Sequence, residues 1–324
     1  MSDISTKPAA VKAAGIDMAK AKFDVAVDGT DERFTASNTP EGHRQTAEQL
    51  TRLGVTRVGV EATGNYEAGL VGYLRAAGFT VVVLDPAQVH GYRRFKKQRA
   101  KTDPIDATLI GAVTAAISDE EIHQAPDPRL APFCEHLTMI EQIVEDIARL
   151  KTRWDRFSSK HCLDWLKSEI ARLERRVKTE RGKLVRKIEA HADLKARYQL
   201  AQTIPGVGEG LALTVIVRVP ELGSVSREQA AALVGVAPYN VDTGEHAGER
   251  HIAGGRARPR KAFFMAAFAG CNRWNPELKA FYDRLRAKGK PHKLALTGAM
   301  RKLVIMVNAV LARGTPWVDR PAQP

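Results

Sequence analysis

The sequence predicts an α/β domain built on a mixed sheet, then a long helical hairpin, then a mainly α-helical C-terminal domain. Three observations carry this. Short apolar segments with period-two alternation are interleaved with amphipathic helical stretches between Ala13 and Leu84. Beyond Pro126, Pro128 and Pro132 the apolar residues change to a sustained three-four spacing. From Thr203 on, glycine-marked turns separate shorter apolar helices.

At 324 residues with 44% hydrophobic side chains, the chain has length for two domains and needs no covalent staple. Its 3 cysteines, Cys134, Cys162 and Cys271, stand far apart with no C-x-x-C pair. That argues against a zinc knuckle or a disulfide framework and fits a reduced, cytosolic protein. Residues 1–11 lack an apolar core of signal-peptide length. No run approaches the roughly 18 apolar residues of a membrane span, so a soluble protein with no membrane partner is expected. A formal net charge of +13 and a sequence pI near 9.7 point to a polyanion, nucleic acid before a membrane surface. The blander alternative is an inert basic surface.

Gly15-Ile16-Asp17 reads as a first strand, Met18 to Lys22 as a turn, and Phe23, Val25 and Val27, alternating with Asp24 and Ala26, as its hairpin partner. Arg33 to Ser37 makes a third strand, and Thr39-Pro40 opens a helix to Leu53 by N-cap and first-turn proline. Val58-Gly59-Val60-Glu61-Ala62 is a buried-strand pattern ending in an acid. Asn65 to Ala77 is a helix closed by Gly78, Thr80 to Leu84 a fifth strand, and Pro86 starts another helix. A hairpin followed by right-handed βαβ crossovers makes the first strand central, with the Glu61 strand beside it. The helix from Asp103 to about Ile117 carries Ile105, Leu109, Ile110 and Val113 on one face and packs on that sheet. Leu137, Ile140, Val144 and Ile147, then Leu163, Leu166, Ile170, Leu173 and Val177, form a helical hairpin turning near Ser158-Ser159. It serves as a spacer between domains, a dimerising element or a grip on nucleic acid. Arg227 to Val236 is a further helix, Ala237 to Gly255 a loop, Ala262 to Ala269 an apolar helix, and Gly298 opens the last one.

The stretch Lys101-Thr102-Asp103-Pro104-Ile105-Asp106 plants two carboxylates one helical turn apart, just beyond a dense basic run. Asp103 as N-cap, Pro104 at the first position and Asp106 at the third also describe an ordinary helix start. Asp17 and Glu61, each inside an apolar strand, shift the balance, because a buried carboxylate without a partner is costly. Four acids at one sheet edge would hold Mg²⁺, and a pair of such ions stabilises the entering and leaving oxygens of a phosphoryl transfer. The basic run is Arg93, Arg94, Lys96, Lys97, Arg99 and Lys101, interrupted by Phe95. It reads as a phosphate contact or as a solvated loop, and its place beside the acids favours the first. Ile204-Pro205-Gly206-Val207-Gly208 resembles the glycine hairpin of helix-hairpin-helix DNA binders, with Gly206 and Gly208 baring backbone N–H groups to phosphate. An ordinary turn is the alternative. Arg256, Arg258, Arg260 and Lys261 form a second basic group ahead of an apolar helix.

The acids in their settings, Gly-Ile-Asp17, Val-Glu61-Ala-Thr-Gly and Lys-Thr-Asp103-Pro-Ile-Asp106-Ala, resemble the DEDD transposases of the one-ten family of insertion sequences. Ile204-Pro-Gly-Val-Gly208, Val236-Ala-Pro-Tyr-Asn240, Gly254-Gly255-Arg256 and Gly298-Ala-Met-Arg-Lys-Leu303 resemble their second domain, and the likeness runs from about Ala14 to Gly314. It implies a RuvC-like, RNase H-type catalytic domain over 12–130, holding Mg²⁺ through Asp17, Glu61, Asp103 and Asp106. It further implies a coiled-coil hairpin over 131–200, a C-terminal transposase domain over 201–316 with a serine nucleophile, and a tail over 317–324. DNA at element ends and target, a structured non-coding guide RNA, and a homo-oligomer, dimer or tetramer with composite active sites, are the partners it implies. The family serine lies in the loop after the Ala-Pro segment and is followed by glycine. Here that place is Asp242-Thr243-Gly244, so Thr243 stands where serine is expected.

The expected activity is therefore site-specific DNA recombination. A RuvC-like metal nuclease or junction resolvase using water is the alternative. A non-catalytic helix-hairpin-helix binder is a third class. A fourth, an actin-like ATPase, is suggested by Gly15-Ile16-Asp17 followed by Lys20, but a second phosphate loop is missing from the sequence.

Overall fold

The computed structural model describes residues 12–62, 64, 66–97, 103–119, 127–239 and 250–318, with Asp103 and Pro104 defined in backbone only. The chain divides after Pro128 into two compact units. In the first, β1 (Ala13–Met18), β2 (Lys22–Val27), β3 (Arg33–Ser37), β4 (Arg57–Glu61) and β5 (Thr80–Leu84) form one sheet in the order β3-β2-β1-β4-β5. The first three strands pair antiparallel, and β4 and β5 run parallel to β1. This is the mixed sheet expected from the sequence, with β1 central and the Glu61 strand beside it.

Four helices complete this unit: α1 (Pro40–Arg52), α2 (Ala68–Ala76), α3 (Pro86–Phe95) and α4 (Asp103–Ala116). Thr39 Oγ1 accepts the Gly42 N–H at 3.2 Å to start α1, with Pro40 in the first turn. A capping box starts α3: Asp85 accepts from the Ala87 N–H at 2.7 Å, and Gln88 accepts from the Asp85 N–H at 3.0 Å. Both devices satisfy amides that a helix end otherwise leaves orphaned. Apolar residues of β1, β2 and β4 such as Ile16, Val25 and Val60 pack with Leu50 of α1 and Leu74 of α2. A second cluster joins Leu84, Val89, Leu109, Ile110 and Val113.

Two strand glycines let α4 lie on the sheet. A methyl group on Gly15 would stand 2.1 Å from the Gly111 nitrogen, and one on Gly59 would stand 1.7 Å from Thr114 Oγ1. Arg57, 4% exposed, ties the far end of the helix by donating to the carbonyls of Thr114 at 3.4 Å and Ile117 at 2.6 Å and by pairing with Asp119.

The second unit contains α5 (Leu130–Thr152), α6 (Lys160–Glu189), α7 (Ala192–Gln202), α8 (Glu209–Arg218), α9 (Arg227–Val234), a short ribbon of β6 (Pro238–Tyr239) and β7 (His251–Ile252), α10 (Ala257–Ala269), α11 (Pro276–Ala287) and α12 (His292–Arg313). The helical hairpin of α5 and α6 shares a core with the helices C-terminal to it. Leu137, Ile140, Val177, Leu184 and Ile188 belong to the same buried cluster as Leu213 and Ile216 of α8 and Leu303 and Val307 of α12. The last helix begins at His292, ahead of the expected Gly298, because Ala295 and Leu296 are already buried. By length and composition α12 could cross a membrane, which corrects the expectation that no run would be long enough. Most of it is buried inside the unit, as in a core helix.

His136 on α5 and Glu180 on α6 tie the hairpin, Nε2 to Oε2 at 3.0 Å, while Lys183 donates to Glu180 Oε1 at 3.0 Å. The hydrogen bonds from Lys183 and then His136 hold the Glu180 carboxyl below its ordinary value.

This packing generates two expected outcomes. Gly59→Ala drives a methyl into Thr114, so denaturant unfolding of the full chain should show a loss of about 1–3 kcal/mol or more. Because Glu180 has a depressed folded-state pKa, its stabilisation is present above the unfolded value of about 4.3 and is lost as pH falls through the folded value. Glu180→Gln should therefore give a melting temperature that falls less steeply with acid than that of the parent, measured by circular dichroism between pH 6 and pH 3.

Candidate active site

Asp17 and Glu61 occupy equivalent ends of neighbouring strands. The parallel register pairs Gly15 with Gly59 and Ile16 with Val60, so Asp17 and Glu61 are next in line. Both glycines face α4, and side chains on a strand alternate with a period of two. Asp17 and Glu61, two residues further on, therefore stand on the α4 side, each half-buried. The helix runs back along the strands. Its last turns meet Arg57 at the start of β4, and Ala107 and Gly111 meet Gly15. Its first turn, Asp103 to Asp106, consequently lies toward the strand ends that carry Asp17 and Glu61.

Asp106 is buried, 9% exposed, and ion-paired with Arg93 of α3, whose own side chain is 16% exposed. Arg93 Nε is buried without a hydrogen-bond partner. Arg93, one of the expected phosphate-binding cations, thus turns inward, and Arg94, Lys96 and Lys97 carry the outward charge of that segment. Phe95 beside them is 77% exposed, and Lys96 lies 5.5 Å from the Tyr92 ring centroid. Arg99, Lys101, the Asp103 side chain and Thr243 lie outside the described residues. Among the described residues, no three His, Cys, Asp or Glu side chains are close enough together to hold a metal ion.

Sequence reasoning missed Asp24. It pairs with Asp17 across the β1–β2 hairpin, and its Oδ1 accepts a hydrogen bond from Thr35 of β3. The signal was present in the hairpin symmetry, which places the two residues at equal distances from the turn.

In the second unit, Gly206 has φ +90°, and a Cβ there would lie 3.3 Å from Gly270 Cα, so the turn is packed as well as sharp. Asn275 Nδ2 donates to the Pro205 carbonyl at 2.8 Å. Gly208 caps α8 with open space beside it. The second basic group is engaged internally. Arg256 holds Glu221 through two bonds of 2.5 and 2.8 Å, and Arg258 pairs with Glu141. Arg260 donates to the carbonyls of Gly254 at 2.7 Å and Gly235 at 3.2 Å, and Lys261 holds Glu145 at 3.1 Å. The bond from Lys261 keeps the Glu145 carboxyl below its ordinary range. Burial pushes the Cys271 thiol up to about 11, so it is not a ready nucleophile.

Residues 14–157 match a transposase family of DEDD type, DEDD_Tnp_IS110. Residues 198–283 match the family described as transposase IS116/IS110/IS902. The chain belongs to the IS110 family of DEDD transposases. The pilin gene-inverting proteins of Moraxella bovis and Moraxella lacunata are each 24% identical to it over 315 residues, 94% of this chain and 97% of theirs. An uncharacterized 43.6 kDa protein of insertion element IS110 from Streptomyces coelicolor is 31% identical over 146 residues, 44% of this chain and 36% of its own. This IS110-family transposase is accordingly a DNA transposase/recombinase enzyme, and its family implies DNA binding. DEDD domains of this type use divalent metal ions as a class.

The Arg93–Asp106 pair can be tested alone. Arg93→Met leaves a buried carboxylate without its counter-charge, a loss of about 3 kcal/mol by urea unfolding at pH 7. Adding Asp106→Asn to that variant should recover much of the deficit, a coupling that a double-mutant cycle reads directly.

Proposed function

We propose that the protein is a site-specific recombinase of an insertion sequence that cleaves and rejoins DNA with Mg²⁺ and a hydroxyl nucleophile. The observation that supports this most is the shared edge of Asp17, Glu61 and the first turn of α4, since carboxylate oxygens are the donors that hard divalent cations take. Asp17, Glu61, Asp103 and Asp106 would hold the metal, with Asp106 released from Arg93. The ion, when bound, would supply neutralisation of charge building on the scissile phosphate. Thr243 Oγ would attack phosphorus and form a phosphothreonine bond while one bridging P–O bond breaks. The departing deoxyribose oxygen takes up a proton, and the threonine proton passes to a base. Attack by a deoxyribose hydroxyl then reverses the step and rejoins the strands. The added methyl of threonine crowds the attacking oxygen and restricts χ1, so a slower enzyme than one with serine is expected.

Arg94, Lys96, Lys97, Arg99 and Lys101 would contact phosphate. Arg93 joins them once Asp106 takes the metal, and Gly206 and Gly208 would do so through backbone amides of a helix-hairpin-helix element. Arg256, Arg258, Arg260 and Lys261 would contribute only as far as their present acids release them. The hairpin would act as a coiled coil within a dimer or tetramer, and a structured guide RNA would choose the DNA in the bacterial cytoplasm. The domains would run 12–130, 131–200 and 201–316, with a tail over 317–324. The Moraxella relatives are named for inversion of a gene, which supports recombination over simple cutting. A RuvC-like nuclease using water is the alternative reading.

One set of measurements separates them. Thr243→Ala should abolish strand exchange and the denaturation-resistant protein–DNA adduct while leaving DNA binding intact, and Thr243→Ser should match or exceed the parent. Asp17→Asn should lose cleavage and also the Mg²⁺-induced rise in melting temperature. Cleavage by Thr243→Ala at the parent rate without any adduct would favour the nuclease.

A further inference from the structure

The second unit holds a pocket of about 660 Å³ between α9, α11 and α12 that none of the assignments above uses. Its charge is lopsided. Arg227, Arg284, Arg301 and Arg313 line it, and none of these guanidinium groups has a hydrogen-bond or salt-bridge partner among the described residues. The acid in the lining, Glu277, is already held by Lys302 at 3.0 Å. Glu277 Oε2 is buried and has no hydrogen-bond partner. Glu228 on α9 offsets part of this charge through Arg227 and Arg301, and the excess that remains around the cavity favours an entering anion.

Several features narrow that anion. Guanidinium forks match the paired oxygens of a phosphate. Phe281 carries Arg284 at 5.2 Å and Lys302 at 5.1 Å from its ring centroid, which steadies both cations. A bare phosphate would leave most of the volume unfilled and would meet a carboxylate. Trp317, set against the unit by its backbone N–H to Thr203 Oγ1 at 2.9 Å, offers an indole wall for a planar ring. Glu277 Oε2 can accept an N–H from the edge of such a ring. A duplex does not fit, because its bases are stacked inside and a cavity of this size admits a single base.

We propose that this pocket binds one unpaired nucleotide of a single-stranded segment, with its phosphate on the arginines, its base against Trp317 and a base N–H on Glu277. The proposal rests on the reading of the protein as a nucleic-acid enzyme and names a site within it. The strand is RNA or DNA, since both offer the same phosphate and ring.

The test uses the full-length protein and fluorescent single strands of about 12 nucleotides, in RNA and in DNA, with a matched duplex. Arg284→Gln with Arg301→Gln should weaken single-strand binding about tenfold or more and reduce the log–log salt slope by about 0.7 per lost phosphate contact. Duplex affinity should change little. Arg33→Gln with Arg52→Gln removes the same charge from exposed positions on β3 and α1 and should leave single-strand affinity near the parent value. Photocrosslinks from the unmodified protein to 5-iodouridine strands should fall on α11, α12 or Trp317, a readout that does not depend on any variant folding. Tighter RNA than DNA binding would identify RNA as the source, and the reverse a displaced DNA strand. Equal losses in the two double variants, or crosslinks confined to other segments, would overturn the pocket while leaving the recombinase reading intact. A parent protein that binds no nucleic acid would overturn both.

Discussion

The close approach of α4 to the sheet is the contact on which the first unit depends. It exists because Gly15 and Gly59 present no side chain where the helix backbone and Thr114 pass. A helix held that near has little freedom to slide, and Arg57 locks its far end through carbonyls that the helix cannot satisfy itself. The position of its first turn is then determined by its length. Acids in a first turn also sit favourably at the positive end of a helix dipole. The same geometry that builds the core thus concentrates negative charge at one edge of the sheet.

Fewer cations lie open than the 50 lysines and arginines of the sequence suggest. Arg93 is engaged by Asp106, Arg57 by Asp119, and Arg256, Arg258 and Lys261 by Glu221, Glu141 and Glu145. The last three pairs fasten α10 to α5 and to the turn after α8. Half-exposed pairs of this kind contribute little energy individually, yet they fix which cations remain open to a polyanion. An arginine already chelated by a carboxylate must exchange one good partner for another, whereas an unpartnered one gains a contact outright.

Local signals were enough to foresee the sheet order and most helix starts. The Thr39-Pro40 and Asp85-Pro86 starts are written in adjacent residues, and the hairpin followed by crossovers leaves few topologies open. The adjacency of the Asp17 and Glu61 strands came from the same reasoning. Features that stayed hidden depend on partners far along the chain. Nothing near Arg93 announces Asp106 as its neighbour, and nothing near Arg258 announces Glu141. The true start of α12 was missed because Gly298 looked like a boundary, while the residues before it are held helical by burial in a core that only the folded unit creates.

The helical hairpin is anchored unequally along its length. At 30 residues α6 extends about 45 Å. Its C-terminal end plants Leu184 and Ile188 in the main core, whereas the end near the turn buries Leu166 but leaves Trp154, Phe157 and Trp165 in solvent. Amide protons at the root therefore exchange only when the whole unit opens, and those near the turn exchange through local fraying. The base of the hairpin is thus held by the core it grows from, and its tip has little buried surface to lose on opening.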